Sequence, residues 1–136
     1  MQDIFYLLKS QPLFKSFKGA SNDDIKKAEE TLNVFFSKEY TQYLAEFGFV
    51  IYEGHELTGI CKAKRLNVVD VTLREREMSP EIPETWYVIE ELNIDGIVIW
   101  QSSTGEIYQT SPNREPVKIC DSLVEYINLW QMEKQT

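Results

Sequence analysis

The chain has 136 residues, 43% of them hydrophobic and 12% aromatic, and a formal net charge of −8. Such a composition excludes global disorder, and the length suffices for one domain that buries its own core without disulfides or a metal. The charge opposes binding to nucleic acid and anionic membranes, and the longest apolar runs, such as Ile97 to Trp100, fall far short of the ~20 residues that a membrane span needs.

The opening "MQDIFYLLKS" has no basic stretch ahead of its short apolar core, so it does not read as a signal peptide, and a cytosolic address is expected. Residues 3–9 predict a short amphipathic helix, and "QPLFKSFKG" an apolar-studded connector. In "SNDDIKKAEETLN" Ser21 is a candidate N-cap with Asp24 three residues on, and Ile25, Ala28 and Leu32 share one helical face. A second helix, "SKEYTQYLAEFG", is expected from Ser37, with Tyr40, Leu44 and Phe47 on one stripe and Gly48 as its stop.

After Gly48 the period changes, and "FVIYEGHELTGI" predicts a strand, a turn at Gly54 and a short return. "NVVDVTLREREM" reads as a helix with Val68, Val71 and Leu73 near its apolar stripe, broken by Ser79-Pro80-Glu81-Ile82-Pro83. Four strands follow at residues 86–92, 96–102, 106–110 and 117–120. Their connections are too short for parallel crossovers, so they pair antiparallel. Trp86 and Val88 against Tyr87 and Ile89 make the first of them apolar on both faces, which predicts a central position. A last helix starts at Ser122, with Glu125 completing a capping box and Leu123, Ile127 and Trp130 turned inward. The expected fold class is α+β: an antiparallel meander packed with the N-terminal helices and the C-terminal helix, stacked on one side of the sheet. Residues 1–136 form a single domain in this reading, with 1–20 as helix and connector and 21–130 as core.

Little in the chain points to catalysis. His55 is the single histidine; "HELTG" lacks the second histidine of a zinc-protease motif, and Cys61 and Cys120 cannot make a four-ligand zinc centre alone. No metal or other cofactor is expected. With no export signal, both cysteines are expected reduced and packed. A small Cys/His hydrolase using Cys120 or Cys61 with His55 is a remote alternative without a recognisable nucleophile signature. "CKAKR" at 61–65 is a weak basic patch that the global charge opposes. The aromatics Phe35, Phe36, Tyr40, Tyr43, Phe47, Trp86, Trp100 and Trp130 are expected to form core.

Acidity is concentrated in the second half. Residues 1–70 carry 9 basic and 10 acidic side chains, residues 71–136 carry 5 and 12. Glu75, Glu77, Glu81, Glu84, Glu90, Glu91 and Asp95 crowd into one stretch with Arg76 as its only base. Such a field is either a solvated face or a docking surface for a basic protein. The residues thus predict a non-enzymatic α+β domain that binds another protein, its sheet serving as a rigid platform.

The ordered set "IKKAEETLN", "SKEYTQYLAEFG", "ELTGI", "NVVDVT", "IPETWYVI" with Pro83 and Trp86, Asp95-Gly96, the Gly105 turn and "SLVEYINLW" resembles the SUKH superfamily over residues 21–130. Two junctions depart from that pattern: Phe36-Ser37 stands where Leu-Pro is common, and Phe47-Gly48-Phe49 where Asn-Gly-Gly is. The resemblance implies an α+β fold and, in bacteria, an immunity protein that neutralises in the cytosol the toxic domain, often a nuclease, of a secreted polymorphic toxin. Fungal relatives act instead as hubs in cell-wall-synthesis signalling, which keeps a regulatory adaptor as the alternative. The resemblance brings no catalytic residues. Joined to the charge pattern, it predicts occlusion of a basic toxin domain by the Glu75–Asp95 surface, with Glu90, Glu91 and Asp95 near the centre.

Overall fold

A computed structural model of the chain describes residues 15–16, 18–52 and 54–134. The helix expected over 3–9 lies outside these residues. The elements are β1 (Lys15–Ser16), α1 (Asn22–Leu32), α2 (Lys38–Phe47), β2 (Val50–Tyr52), β3 (His55–Leu57), α3 (Val68–Met78), β4 (Tyr87–Glu91), β5 (Val98–Gln101), β6 (Ile107–Thr110), β7 (Val117–Cys120) and α4 (Leu123–Lys134). The strands form one antiparallel sheet in sequence order, β1 to β7, with β4 in the middle. The fold class is α+β, as the element pattern predicts.

Local chemistry sets the helix starts. Ser21 Oγ accepts from the N–H of Asp24 at 3.1 Å, and Ser37 Oγ from that of Tyr40 at 3.0 Å, so each hydroxyl satisfies a donor the helix cannot. Asn67 Oδ1 caps α3 by accepting from Val69 N at 2.9 Å. At α4 the N–H of Glu125 reaches Ser122 Oγ, and the Glu125 carboxylate returns to the N–H of Asp121. The first two N–H groups of α4 are held instead by Glu39 of α2, which ties the C-terminal helix to the N-terminal pair.

The main core lies between α1, α2, α4 and the sheet face carrying Tyr87, Ile89, Ile99 and Ile107. It is rich in tyrosines, and the hydroxyls of Tyr40, Tyr43, Tyr87 and Tyr126 find partners. Thr58 Oγ1 gives its proton to Val88 O at 2.7 Å, which leaves the Tyr40 hydroxyl to donate to Thr58 Oγ1 at 2.8 Å. Tyr43 donates to Thr58 O, and Tyr87 donates to Gln101 Oε1 while accepting from Ser37 N. Burial pushes all three phenols above their ordinary values, so they act as neutral donors.

Helix α3 departs from the expected one-sided stacking. β3 is short and pairs with β4 only at Glu90, so the N–H of Val88 is left without a strand partner; Thr72 Oγ1 accepts from it at 3.0 Å. α3 therefore straddles the open half of the β4 edge. Val68 joins the main core, while Val71 packs with Ile82, Val88, Val98 and Trp100 in a second cluster on the opposite sheet face. Thr72 and Glu75 occupy the buried positions that the stripe assigned to Leu73, which is exposed. Most of the expected core aromatics are buried. Phe35 is the exception at 80% exposed, and Trp86 is half-buried, stacked on Tyr108 with ring centres 4.0 Å apart.

Candidate functional site

The acidic stretch is divided by one irregularity in β4. Val88 pairs with Trp100 and Glu90 with Ile99, so Ile89 and Glu90 together face a single residue of β5. This bulge breaks the alternation of the strand. Ile89 and Glu90 both turn to the main core, and Glu91, opposite Val98, turns to the second face. Without it, Glu90 would share the side of Val88.

Glu90 is therefore not a surface residue: it is 1% exposed. Its carboxylate accepts from Glu56 N at 3.2 Å and from the Tyr126 hydroxyl, and lies 3.0 Å from His55 Nδ1. The His55 ring stacks on Trp130 with centres 4.3 Å apart. The centre expected for the acidic surface thus contributes a buried polar cluster joining β3, β4 and α4. Burial leads the shifts of both thiols, raising Cys61 and pushing Cys120 up to about 11, so each is a neutral thiol near pH 7. In the 61–65 patch, Arg65 forms a two-pronged pair with Glu56 at 2.9 and 3.0 Å.

Of the remaining acids, Glu75, Glu81 and Glu91 line a groove of about 380 Å³ on the second face. One wall is the C-terminal end of α3 and the loop after it, with Met78, Ser79, Glu81 and Ile82; the other runs from the β4–β5 turn to the loop after β6, through Gly96, Thr110, Pro112 and Arg114. Gly96 permits that closure, since a Cβ there would sit 2.9 Å from the Pro112 ring. Glu75 and Glu91 line the floor, Glu81 stands on the lip, and Asp95 is exposed on the bordering turn. Glu77 and Glu84 are exposed at the end of α3 and in the loop after it. Exposed Met78 adds apolar surface to the mouth.

Glu75 is 7% exposed, and its pKa is pushed up to about 7, first by burial and then by its hydrogen bond with Glu91 and the Glu91 charge. Burial acts the same way on Glu91, but the hydrogen bonds from Glu75 and Arg74 outweigh it and hold Glu91 below the usual carboxylate range. Arg74 Nη2 lies 2.6 Å from Glu91 Oε1. The two floor carboxylates thus share a proton near neutral pH, with the charge resting on Glu91.

A group whose folded pKa lies above its unfolded value contributes stability at low pH and loses it as pH rises through the folded value. For Glu75 that loss falls between its ordinary value of 4.5 and about 7, whereas the opposite shift of Glu91 acts below 4.5. We expect the Glu75-dependent part of the unfolding free energy to fall by ~1–3 kcal/mol over that window. Glu75→Gln should remove that fall. Urea unfolding of both proteins at the two ends of the window checks it, and an undiminished fall in the variant would assign the titration elsewhere.

Sequence reasoning found the acids but not the groove, because Met78, Ile82 and the Thr110–Arg114 wall carry no motif. Among the described residues no helix is long and apolar enough to cross a membrane. No curated protein matches the chain. A family model described as SMI1-KNR4 cell-wall matches residues 1–130. With an α+β fold of this topology and a match over nearly its whole length, the chain belongs to that family, SUKH_5.

Proposed function

We propose that the chain is a cytosolic immunity protein, which binds the toxic domain of a secreted bacterial toxin and covers its active surface. The observation that carries this reading is the acidic groove. Glu81 on its lip and the exposed Glu77, Glu84 and Asp95 of the neighbouring α3 end, loop and turn give this face a negative field on a rigid frame. A nuclease domain must hold phosphate and is basic around its site, so this face steers it in and seats it. Family membership is consistent with the role. The chain contributes no chemistry to inhibition; it excludes substrate by occupying the site.

The test is the association rate with the captured partner, measured by stopped flow at low and high salt. Replacing Glu77, Glu81 and Glu84 by Gln and Asp95 by Asn should slow association at low salt about tenfold or more and flatten its salt dependence. Dissociation should change less. An unchanged association rate would exclude electrostatic occlusion by this face.

One observation favours a second reading, a regulatory adaptor. Phe35 is 80% exposed yet stands on a braced junction, where the Glu29 carboxylate accepts from Phe36 N at 2.9 Å and Glu29 O from Val34 N at 3.1 Å. A rigid exposed aromatic is a contact anchor, and it lies outside the acidic groove. Several different partners that depend on Phe35, rather than one that depends on the groove, would favour the adaptor.

A further inference from the structure

The groove has a composition that a merely solvated acidic face does not require. Its walls carry Met78, Ile82, Ile97, Val98 and Pro112, while the carboxylates of Glu75 and Glu91 lie on the floor. Glu75 is more than nine-tenths buried there, and its hydrogen-bond partner is another acid, Glu91. Arg74 meets Glu91 at Oε1, and Arg114 stands on the opposite wall, with Glu81 on the lip. Apolar walls above a negative floor suit a side chain with a long aliphatic stem and a cationic head, the two parts being buried against matching surface.

We propose that the groove receives an arginine side chain of the protein partner, its stem along the apolar walls and its guanidinium on the carboxylates of Glu75 and Glu91. This rests on the reading of the groove as the partner-binding face and names the chemistry it recognises there. Arginine fits better than lysine for two reasons. Its planar fork spans two acceptors at once, and it is more weakly hydrated, so it gives up less on entering a narrow site. The shared proton of the floor supports the assignment, because a bound cation favours ionisation of both carboxylates and drives that proton out.

The test uses the full chain with isotope-labelled glutamate side chains and Nα-acetyl-arginine methylamide as probe, at neutral pH and about 0.1 M salt. The Glu75 and Glu91 carboxyl resonances should move saturably, with an affinity roughly tenfold above that for Nα-acetyl-lysine methylamide. Calorimetry in two buffers of different ionisation enthalpy should show proton release on binding. Met78→Arg places a cation at the exposed lip, on a side chain whose loss the fold tolerates, and should abolish saturable binding. Asp23→Asn, exposed at the start of α1 and outside the groove lining, should leave it unchanged.

Equal affinity for the two probes, or matching shifts at exposed Glu77 and Glu84, would mean attraction to diffuse charge and would overturn the proposal. So would saturable binding that survives Met78→Arg, or a preference for lysine. Failure of the probe to bind while the chain still neutralises a toxin overturns the groove assignment alone. Saturable arginine binding by a chain that neutralises none supports the groove and overturns the immunity reading.

Discussion

Glu90→Ala is expected to lower the unfolding free energy by ~3–5 kcal/mol, the largest loss of any single acid-to-alanine change in the 75–95 stretch. Glu90 is the most buried of the seven acids, and its carboxylate is addressed by Glu56 N, the Tyr126 hydroxyl and His55 Nδ1. Alanine takes away the acceptor that those three groups share, in addition to the lost packing. Glu90→Gln keeps the volume and one acceptor oxygen, so it should lose less, ~1–2 kcal/mol. The denaturation midpoint should move without a change in slope. Normal stability of Glu90→Ala combined with slowed association to a basic partner would return this residue to the surface and overturn the register of the bulge. The contrast with Glu77→Ala, exposed on α3, separates the two parts of the acidic stretch: one holds the fold, the other faces solvent.

Gly59→Ala should cost about 3 kcal/mol, and the cause is space. A Cβ at Gly59 would sit 1.7 Å from Gly48 O and 2.7 Å from Phe49 Cβ. Gly48 O is fixed, since it accepts from Ile60 N at 3.1 Å. Gly59 is itself held on both sides, its N–H by Leu66 O and its carbonyl by Val68 N at the start of α3. Neither backbone can retreat without breaking these bonds, and α3 would lose its seat on the β4 edge. Gly54→Ala is the useful control. There φ is +87° and nothing stands within 4 Å, so only the left-handed backbone is strained and ~1 kcal/mol is expected. Thermal or urea unfolding of the two variants distinguishes them, and equal losses would remove the close-packing account.

The stability of Glu90→Ala and the groove chemistry both depend on the same short piece of β4, and that piece shows where sequence reading stops. Helix starts were legible because a cap acts over three residues: Ser21, Ser37 and Ser122 each stand beside the donors they satisfy, so spacing along the chain is the whole geometry. The order of β4 to β7 was legible because short connections leave no choice but antiparallel pairing, and the resemblance to the family rests on the same ordered elements. The cluster of acids was visible as a count, and its charge pointed to a basic partner.

Which acids reach the surface was decided elsewhere. The bulge at Ile89 and Glu90 depends on the register between β4 and β5, a relation between residues about ten apart that no window of either strand reveals. It buries Glu90, turns Glu91 to the second face, and so assigns two neighbouring, chemically identical residues to opposite sides of the sheet. The placement of α3 was likewise tertiary: β3 ends early, an unpaired N–H on β4 needs an acceptor, and Thr72 supplies it. That move buries Thr72 and Glu75 in place of Leu73 and sets one wall of the groove. The sequence by itself determined helices α1 to α4, the antiparallel run of β4 to β7 and the sign of the field, whereas β1 lies within the expected connector. The tertiary structure decided which carboxylates are withdrawn and which line a groove, because burial is a property of what packs against a side chain, and those neighbours come from distant parts of the chain.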